Sequence, residues 1–352
     1  VTSVARRPST KPLPRRPARA AAAPRAGASV RSARQPTFLG VPAHPGGDAA
    51  ELDADVLLFG VELRATSRRR RGGAAVPAAV RAASLPPRPF SAALGVDFGE
   101  ELVVVDGGDR VAGPRGASAA LAELGERVEA HARCGVVVGL IGADRGVTLA
   151  GLRGVHRAKL RRLGLLRFGA QPGCAPPGAG IDASAGSVVR LAVEEGLVAR
   201  EWVTEVGLRG PYATAHELAY ARGAGFEVIT TDDVRWDLHA AVTQVREVAR
   251  RGPLYVAVDL PVLEPACAPG VAEPVPGGLT TWELQQLLRA LVGADVVGFD
   301  VTGLVAERDL GGLTALAAVG VLQELLAAMA ETRRSARPAP SSRRQRERRR
   351  SP

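Results

Sequence analysis

An α/β chain built on a mostly parallel sheet of about eight strands is what this sequence predicts, and three observations carry the prediction. Short apolar, β-branched runs recur along the 352 residues, segments of helical period separate them, and the runs lack polar alternation. Strands that are apolar on both sides are covered on both sides, which is the mark of parallel sheet.

The runs fall at 55–61 (DVLLFGV), 102–106 (LVVVD), 135–141 (GVVVGLI) and 164–168 (GLLRF), then at 202–208 (WVTEVGL), 226–230 (FEVIT), 254–259 (LYVAVD) and 295–301 (DVVGFDV). Helical segments include 117–133, 187–197, 213–223, 236–251, 281–292 and 312–330, giving about eight βα units. The Gly-Gly pair in VVDGGDR at 103–109 reads as a turn, since its spacing fits neither a dinucleotide nor a P-loop fingerprint. Periodicity leaves open whether the units close into a barrel or form an open doubly wound sheet. Both arrangements put ligand chemistry just past the carboxyl ends of the strands.

The net charge of +10 belongs to the ends. Residues 1–34 hold nine Arg or Lys and no acid, and residues 331–352 hold nine Arg against two Glu, so the middle carries 10 − 9 − 7 = −6. Both ends are rich in Pro, Ala, Ser and Arg, a composition that cannot offset the entropy of folding. Disordered basic tails at 1–34 and 331–352 are therefore expected around a domain at 35–330. Basic arms bind nucleic acid or anionic surfaces through counterion release, although solvated, compositionally biased ends explain the same charge. No continuous apolar run reads as a bilayer span, and the basic N-terminus lacks the apolar core of a secretory signal. Cys134, Cys174 and Cys267 form no CxxC pair, so free thiols in a reducing cytoplasm are expected.

Specific resemblance begins at 254–280, LYVAVDLPVLEPACAPGVAEPVPGGLT. It resembles the ureohydrolase signature in which Ser-Phe-Asp-x-Asp runs into Leu-Asp-Pro-Ala-x-Ala-Pro-Gly and then Pro-Gly-Gly-Leu. EVGLRGPY at 205–212 is similar to the family's Gly-Ile-Arg-Gly strand end. GFEVITTDDV at 225–234 and VVGFDVTGL at 296–304 are similar to its closing units, and GGAAVPAAVRAAS at 72–84 matches a helix start at Gly72, Pro77 and Arg81. The resemblance covers roughly residues 36–330 and points to the arginase and agmatinase family, on the agmatinase-like branch. It implies an open three-layer αβα domain, trimeric or hexameric assembly, and hydrolysis of a guanidino C–N bond by water held between two manganese ions. Paired divalent ions lower the pKa of such a water, and they need carboxylates and imidazoles at set positions.

Those positions are altered here. The family's Gly-Gly-Asp-His-Ser is GADRG at 142–146, with Arg145 in place of the ligating His and Asp144 retained as the non-ligating Asp. Its Asp-Ala-His-x-Asp corresponds to FGAQPGC at 168–174, which puts Gly169, Gln171 and Gly173 at ligand positions. In the third loop Asp259 persists and Pro261 replaces the second Asp. Ala185 stands where the resemblance places a catalytic His, and Gly303 where it places the Glu that holds the substrate guanidinium. The resemblance so read implies a homologue that has lost hydrolysis, serves as a scaffold or as a regulatory partner of an active relative, and needs no cofactor. Two alternatives stand beside it: an active agmatinase-like enzyme with a non-standard site, and nucleic-acid binding through the tails.

Other candidate residues have plainer roles open to them. His131, His216 and His239 fall in helical segments away from strand ends; His44 and His156 complete the five. Asp144, Cys174, Asp259 and Cys267 follow motif strands and would make an improvised zinc site, although Cys is also a common small core residue. Arg68–Arg71 reads as a solvated loop rather than an anion trap. An unpaired carboxylate at Asp259 would be costly to bury, so Arg145 is expected to pair with it as a structural substitute for metal charge.

Overall fold

The computed structural model describes residues 36–44, 49–62, 75–111, 116–159, 162–176, 186–210 and 215–337, all within the unit Gln35–Pro352. The Arg-rich expectations for residues 1–34 and 68–71, and the start of the helix match at Gly72, lie outside the described residues.

Strands β1 (Val56–Glu62), β4 (Val104–Val111), β5 (Val137–Gly142), β6 (Gly164–Phe168), β7 (Val203–Leu208), β8 (Glu227–Thr230), β9 (Pro253–Asp259) and β10 (Asp295–Thr302) form one sheet. Its order is β4-β1-β5-β10-β9-β6-β7-β8, and every pairing in it is parallel. A separate hairpin joins β2 (Phe90–Ser91) to β3 (Val96–Asp97). The open sheet settles the choice that periodicity left open: it is doubly wound.

Burial on both faces follows from the apolar runs. Residues such as Val56, Leu58, Leu166, Phe168, Val256 and Val258 pack on one side against α1 (Val76–Ala83), α8 (Leu238–Ala249), α9 (Thr281–Arg289) and α10 (Leu313–Ser335), with the short α2 (Phe98–Glu101) alongside. Leu57, Phe59, Leu140, Leu165 and Val203 pack on the other against α3 (Ala117–Arg133), α4 (Gly146–Lys159) and α5 (Val188–Glu194), joined by Ala221 of α6 (Ala215–Gly223). The helix expected at 236–251 is α8, and a short helix that the sequence reading lacks, α7 (Thr231–Trp236), precedes it; Asp237 separates the two, leaving helical geometry (φ −148°) and accepting from Ala240 N–H at 2.8 Å.

Three further differences from the sequence reading have physical causes. The Gly107–Gly108 pair is not a turn; it lies inside β4, where pairing with β1 slips register between Leu58 and Gly60. Helix α4 escapes notice because GVTLAGLRGVHRAK holds three glycines, poor helix formers on propensity. Tertiary packing requires one of them: a Cβ at Gly151 would fall 2.1 Å from the Tyr255 hydroxyl. Finally, α10 runs on to Ser335, where a basic tail was expected, and Arg333 pairs with Asp55 at 2.5 Å. The segment Leu310–Ser335 also has the length and mean hydropathy (1.8) of a bilayer span, contrary to the sequence reading, yet 72% of its most apolar window is buried in the core.

The carboxyl-end loop after β9 is gripped along its length by Arg209. Arg209 donates to the carbonyls of Gly207, Pro261, Val262, Leu263, Val275 and Pro276 at 2.6–3.3 Å. Burial pulls its pKa down to about 10, and its planar fork bridges β7 to both ends of the 261–276 loop. Arg209→Ala is expected to cost about 2–4 kcal/mol in urea unfolding, because it strips donors from several carbonyls at once, and Arg209→Lys is expected to recover less than half of that.

Candidate functional site

Consecutive strands β5 and β6 are separated in the sheet by β10 and β9. This switch point opens a crevice at the carboxyl ends of the four central strands, the place where doubly wound sheets carry ligand chemistry. The sequence-expected positions converge there. Arg145 follows β5, Gly169 follows β6, Asp259 ends β9 and Gly303 follows β10.

Asp259 is the centre of the arrangement and is only 2% exposed. Its Oδ2 lies 2.8 Å from Arg145 Nε, so the expected pair forms. Arg145 is positioned by the start of α4, where Asp144 Oδ1 accepts from Gly146 N–H at 2.7 Å. Asp144 thus serves the helix N-terminus.

A second guanidinium, which sequence reasoning missed, reaches the same carboxylate. Arg167 of β6 is fully buried and donates through Nη1 to Glu205 Oε2 at 2.6 Å and to the Gln171 carbonyl at 2.7 Å. Its Nη2 lies 3.5 Å from Asp259 Oδ2. Arg167 and Glu205 are register neighbours on β6 and β7, so the sheet itself sets the pair. Burial acts to lower the Arg167 pKa, but the Glu205 and Asp259 carboxylates outweigh it and hold it above the ordinary value. Burial pushes Glu205 up to about 7 against the opposing pull of Arg167. A signal was available: GLLRF and WVTEVGL each carry one charge in a run that must be buried on both faces, and such charges need each other.

The second-loop positions wrap around this guanidinium. A Cβ on Gly169 would stand 2.7 Å from Arg167 Nη2, and one on Gly173 would stand 3.6 Å from its Cζ. Gly169 is therefore a requirement of the buried arginine. Gly303 is similar: its φ is +93°, and a Cβ there would meet Pro261 Cδ at 2.6 Å and Asp259 Oδ1 at 2.7 Å. Pro261 sits in the turn Leu260–Val262, with its carbonyl taken by Arg209. Ala185 lies outside the described residues.

The cysteine candidates do not come together. Cys174 packs with the α3–α4–α5 side and donates its thiol to the Pro172 carbonyl, whereas Cys267 packs against the α9–α10 side. Burial raises the Cys174 pKa, which keeps it a thiol. His131 stacks edge-on to Phe59 and bonds the Arg127 carbonyl, and His156 bonds the Leu197 carbonyl. His216 lies in α6 and His239 in α8.

The Arginase family model matches residues 54–328, and the chain belongs to that family. It is 31% identical over 280 residues to a guanidinobutyrase of Pseudomonas aeruginosa, spanning 79% of this chain and 87% of that protein. It is likewise 31% identical over 283 residues to an agmatinase of Klebsiella pneumoniae, spanning 78% and 88%. The solved proclavaminate amidinohydrolase of Streptomyces clavuligerus superposes with a TM-score of 0.78 at 29% identity, covering 86% of this chain and all of that one. The chain is a ureohydrolase homologue on the agmatinase-like branch, of a family that hydrolyses guanidino C–N bonds.

Membership corrects one expectation. A cofactor-free chain does not follow from altered positions alone, because the chain belongs to the Arginase family, for which the resemblance implies two manganese ions, and is similar to an agmatinase and a guanidinobutyrase. A structural neighbour of like fold, a formiminoglutamase of Trypanosoma cruzi at 20% identity, is described with Mn2+. The six positions themselves do not fit that pair of ions. Among the described residues no three His, Cys, Asp or Glu side chains converge to hold a metal, and two guanidinium groups stand on the retained Asp259.

Arg167→Met is expected to cost about 3–5 kcal/mol, since it leaves Glu205 buried without its cation. The double replacement Arg167→Met with Glu205→Leu is expected to recover most of that loss in chemical denaturation. Gly169→Asp, which introduces the residue that the resemblance places there, is expected to destabilise the native protein and to do so less when Arg167 is already Met.

Proposed function

We propose that this chain is a family member in which the crevice has exchanged guanidino hydrolysis for a structural role, acting as a scaffold or regulatory partner in an assembly. The observation that supports the reading is the double salt bridge on Asp259. Arg145 and Arg167 occupy the surroundings of the one retained ligand position, where fixed cations oppose both a divalent ion and a cationic guanidino group. Backbone geometry supports it too, since Gly169 and Gly303 each leave no room for the side chains that the resemblance places there.

Assembly is part of the proposal. Leu313 and Leu316 are exposed in the lining of an apolar groove of about 370 Å³ between α9 and α10, and Leu310 and Trp282 are exposed as well. Patches of this kind are characteristic of protein–protein contact. The three free cysteines support a reducing compartment such as the cytoplasm.

The test is urea release from agmatine and from 4-guanidinobutyrate by the full chain supplied with Mn2+. No turnover above the metal-only control is expected, and light scattering is expected to show an oligomer. Urea release that chelation abolishes and manganese restores would overturn the proposal in favour of an active enzyme with a non-standard site.

A further inference from the structure

Away from the crevice, the edge of the sheet carries a second cavity. Strand β4 ends the sheet order and β1 lies beside it, with Val61 and Arg110 as register partners near their carboxyl ends. Across from them, Ala120, Glu123, Leu124 and Arg127 recur at helical spacing and so share one face of α3. Together these residues line a cavity of about 290 Å³, at the small end of the roughly 300–1,000 Å³ of ligand pockets. Val61 and Leu124 are buried and make part of its wall apolar.

Arg110 is fixed in this cavity without a counter-charge. Its guanidinium lies 4.6 Å from the centre of the Phe59 ring, and its Nη groups donate to the main-chain carbonyls of Gly107 at 3.1 Å and Asp109 at 3.4 Å. Its Nε is buried and has no hydrogen-bond partner among the described residues. The neighbouring carboxylate of Asp109 is taken by Arg81 at 2.6 Å. A buried donor left unmatched is costly, and a cation held there draws an anion.

The second guanidinium is held loosely. Arg127 Nη2 stands 3.4 Å from Glu123 Oε1, and both side chains are exposed. Such a pair contributes little, so an oxyanion between the two arginines can displace it. Burial, and after it the like charge of Arg127, pulls the Arg110 pKa below its ordinary value. Two cations that repel each other across a cavity are relieved by a shared anion.

We propose that this cavity is an oxyanion site, with Arg110 and Arg127 gripping the phosphate of a small soluble phosphate monoester and Val61, Ala120 and Leu124 covering its apolar stem. Forked guanidinium groups match phosphate oxygens in pairs. A phosphate, with up to two charges and three acceptor oxygens, engages both arginines where a carboxylate satisfies one. The site is separate from the crevice: β1 lies between β4 and β5, and the cavity lining shares no residue with the surroundings of Asp259. Binding there does not depend on whether the crevice hydrolyses guanidino compounds.

The experiment is isothermal titration of the full chain with phenyl phosphate and with inorganic phosphate, in about 0.15 M salt to screen diffuse binding to the basic ends. A single saturable site is expected, tighter for phenyl phosphate because its ring is covered. Arg110→Met and Arg127→Gln are each expected to weaken binding by about tenfold or more. Glu123→Gln removes the competing carboxylate and is expected to tighten it by about two- to fivefold. Arg127 and Glu123 are exposed, so their variants decide the matter even if Arg110→Met fails to fold. No saturable binding, equal affinity for the two anions, or binding that Arg127→Gln leaves unchanged would overturn the proposal. So would sedimentation with phosphatidate vesicles that Arg127→Gln abolishes, since the ligand would then be a membrane headgroup.

Discussion

A guanidinium buried in the centre of a sheet cannot be left uncompensated, and that requirement organises the crevice of this protein. Arg167 is sealed between Glu205 on one neighbouring strand and Asp259 at the end of the other. Its cost of dehydration is met only if both carboxylates and the Gln171 carbonyl point inward. The glycine at 169 follows from this, because the guanidinium takes the volume that a side chain there would need. Arg145 follows as well, as the counter-charge that Asp259 uses at the rim of the crevice.

The scaffold around that cluster keeps the architecture of its relatives. The parallel sheet reverses strand order between β5 and β6 and so places four strand ends about one crevice. Arg209 locks the long loop after β9 through backbone carbonyls alone, a device that holds loop shape whatever side chains the loop carries. At those strand ends Arg145 and Arg167 stand against Asp259, and it is such a site, more than the shared fold, that decides chemistry.

Much of the fold was legible from residue order. Strands buried on both faces left apolar runs that the sheet reproduces to within a residue or two, except at β4, where a register slip carries the strand through Gly107 and Gly108. Helix α4 was hidden because its glycines look like breaks until the Tyr255 hydroxyl is seen against Gly151. At the site, the pairing of Arg145 with Asp259 was legible, since a lone buried carboxylate calls for a cation. Arg167 and Glu205 were overlooked although each interrupts an apolar strand, for their partnership is visible only once β6 and β7 are known to be adjacent and in register.

By itself the sequence determined family membership and the α/β layering. Those are properties of local pattern and motif order. Tertiary structure alone decided that Cys174 and Cys267 lie on opposite sides of the sheet, that Gly169 and Gly303 are sterically required, and that two carboxyl groups share two arginines. The reason is distance: electrostatic and steric demands act between atoms that parallel crossovers bring together from strands far apart in the chain, and no local pattern records them.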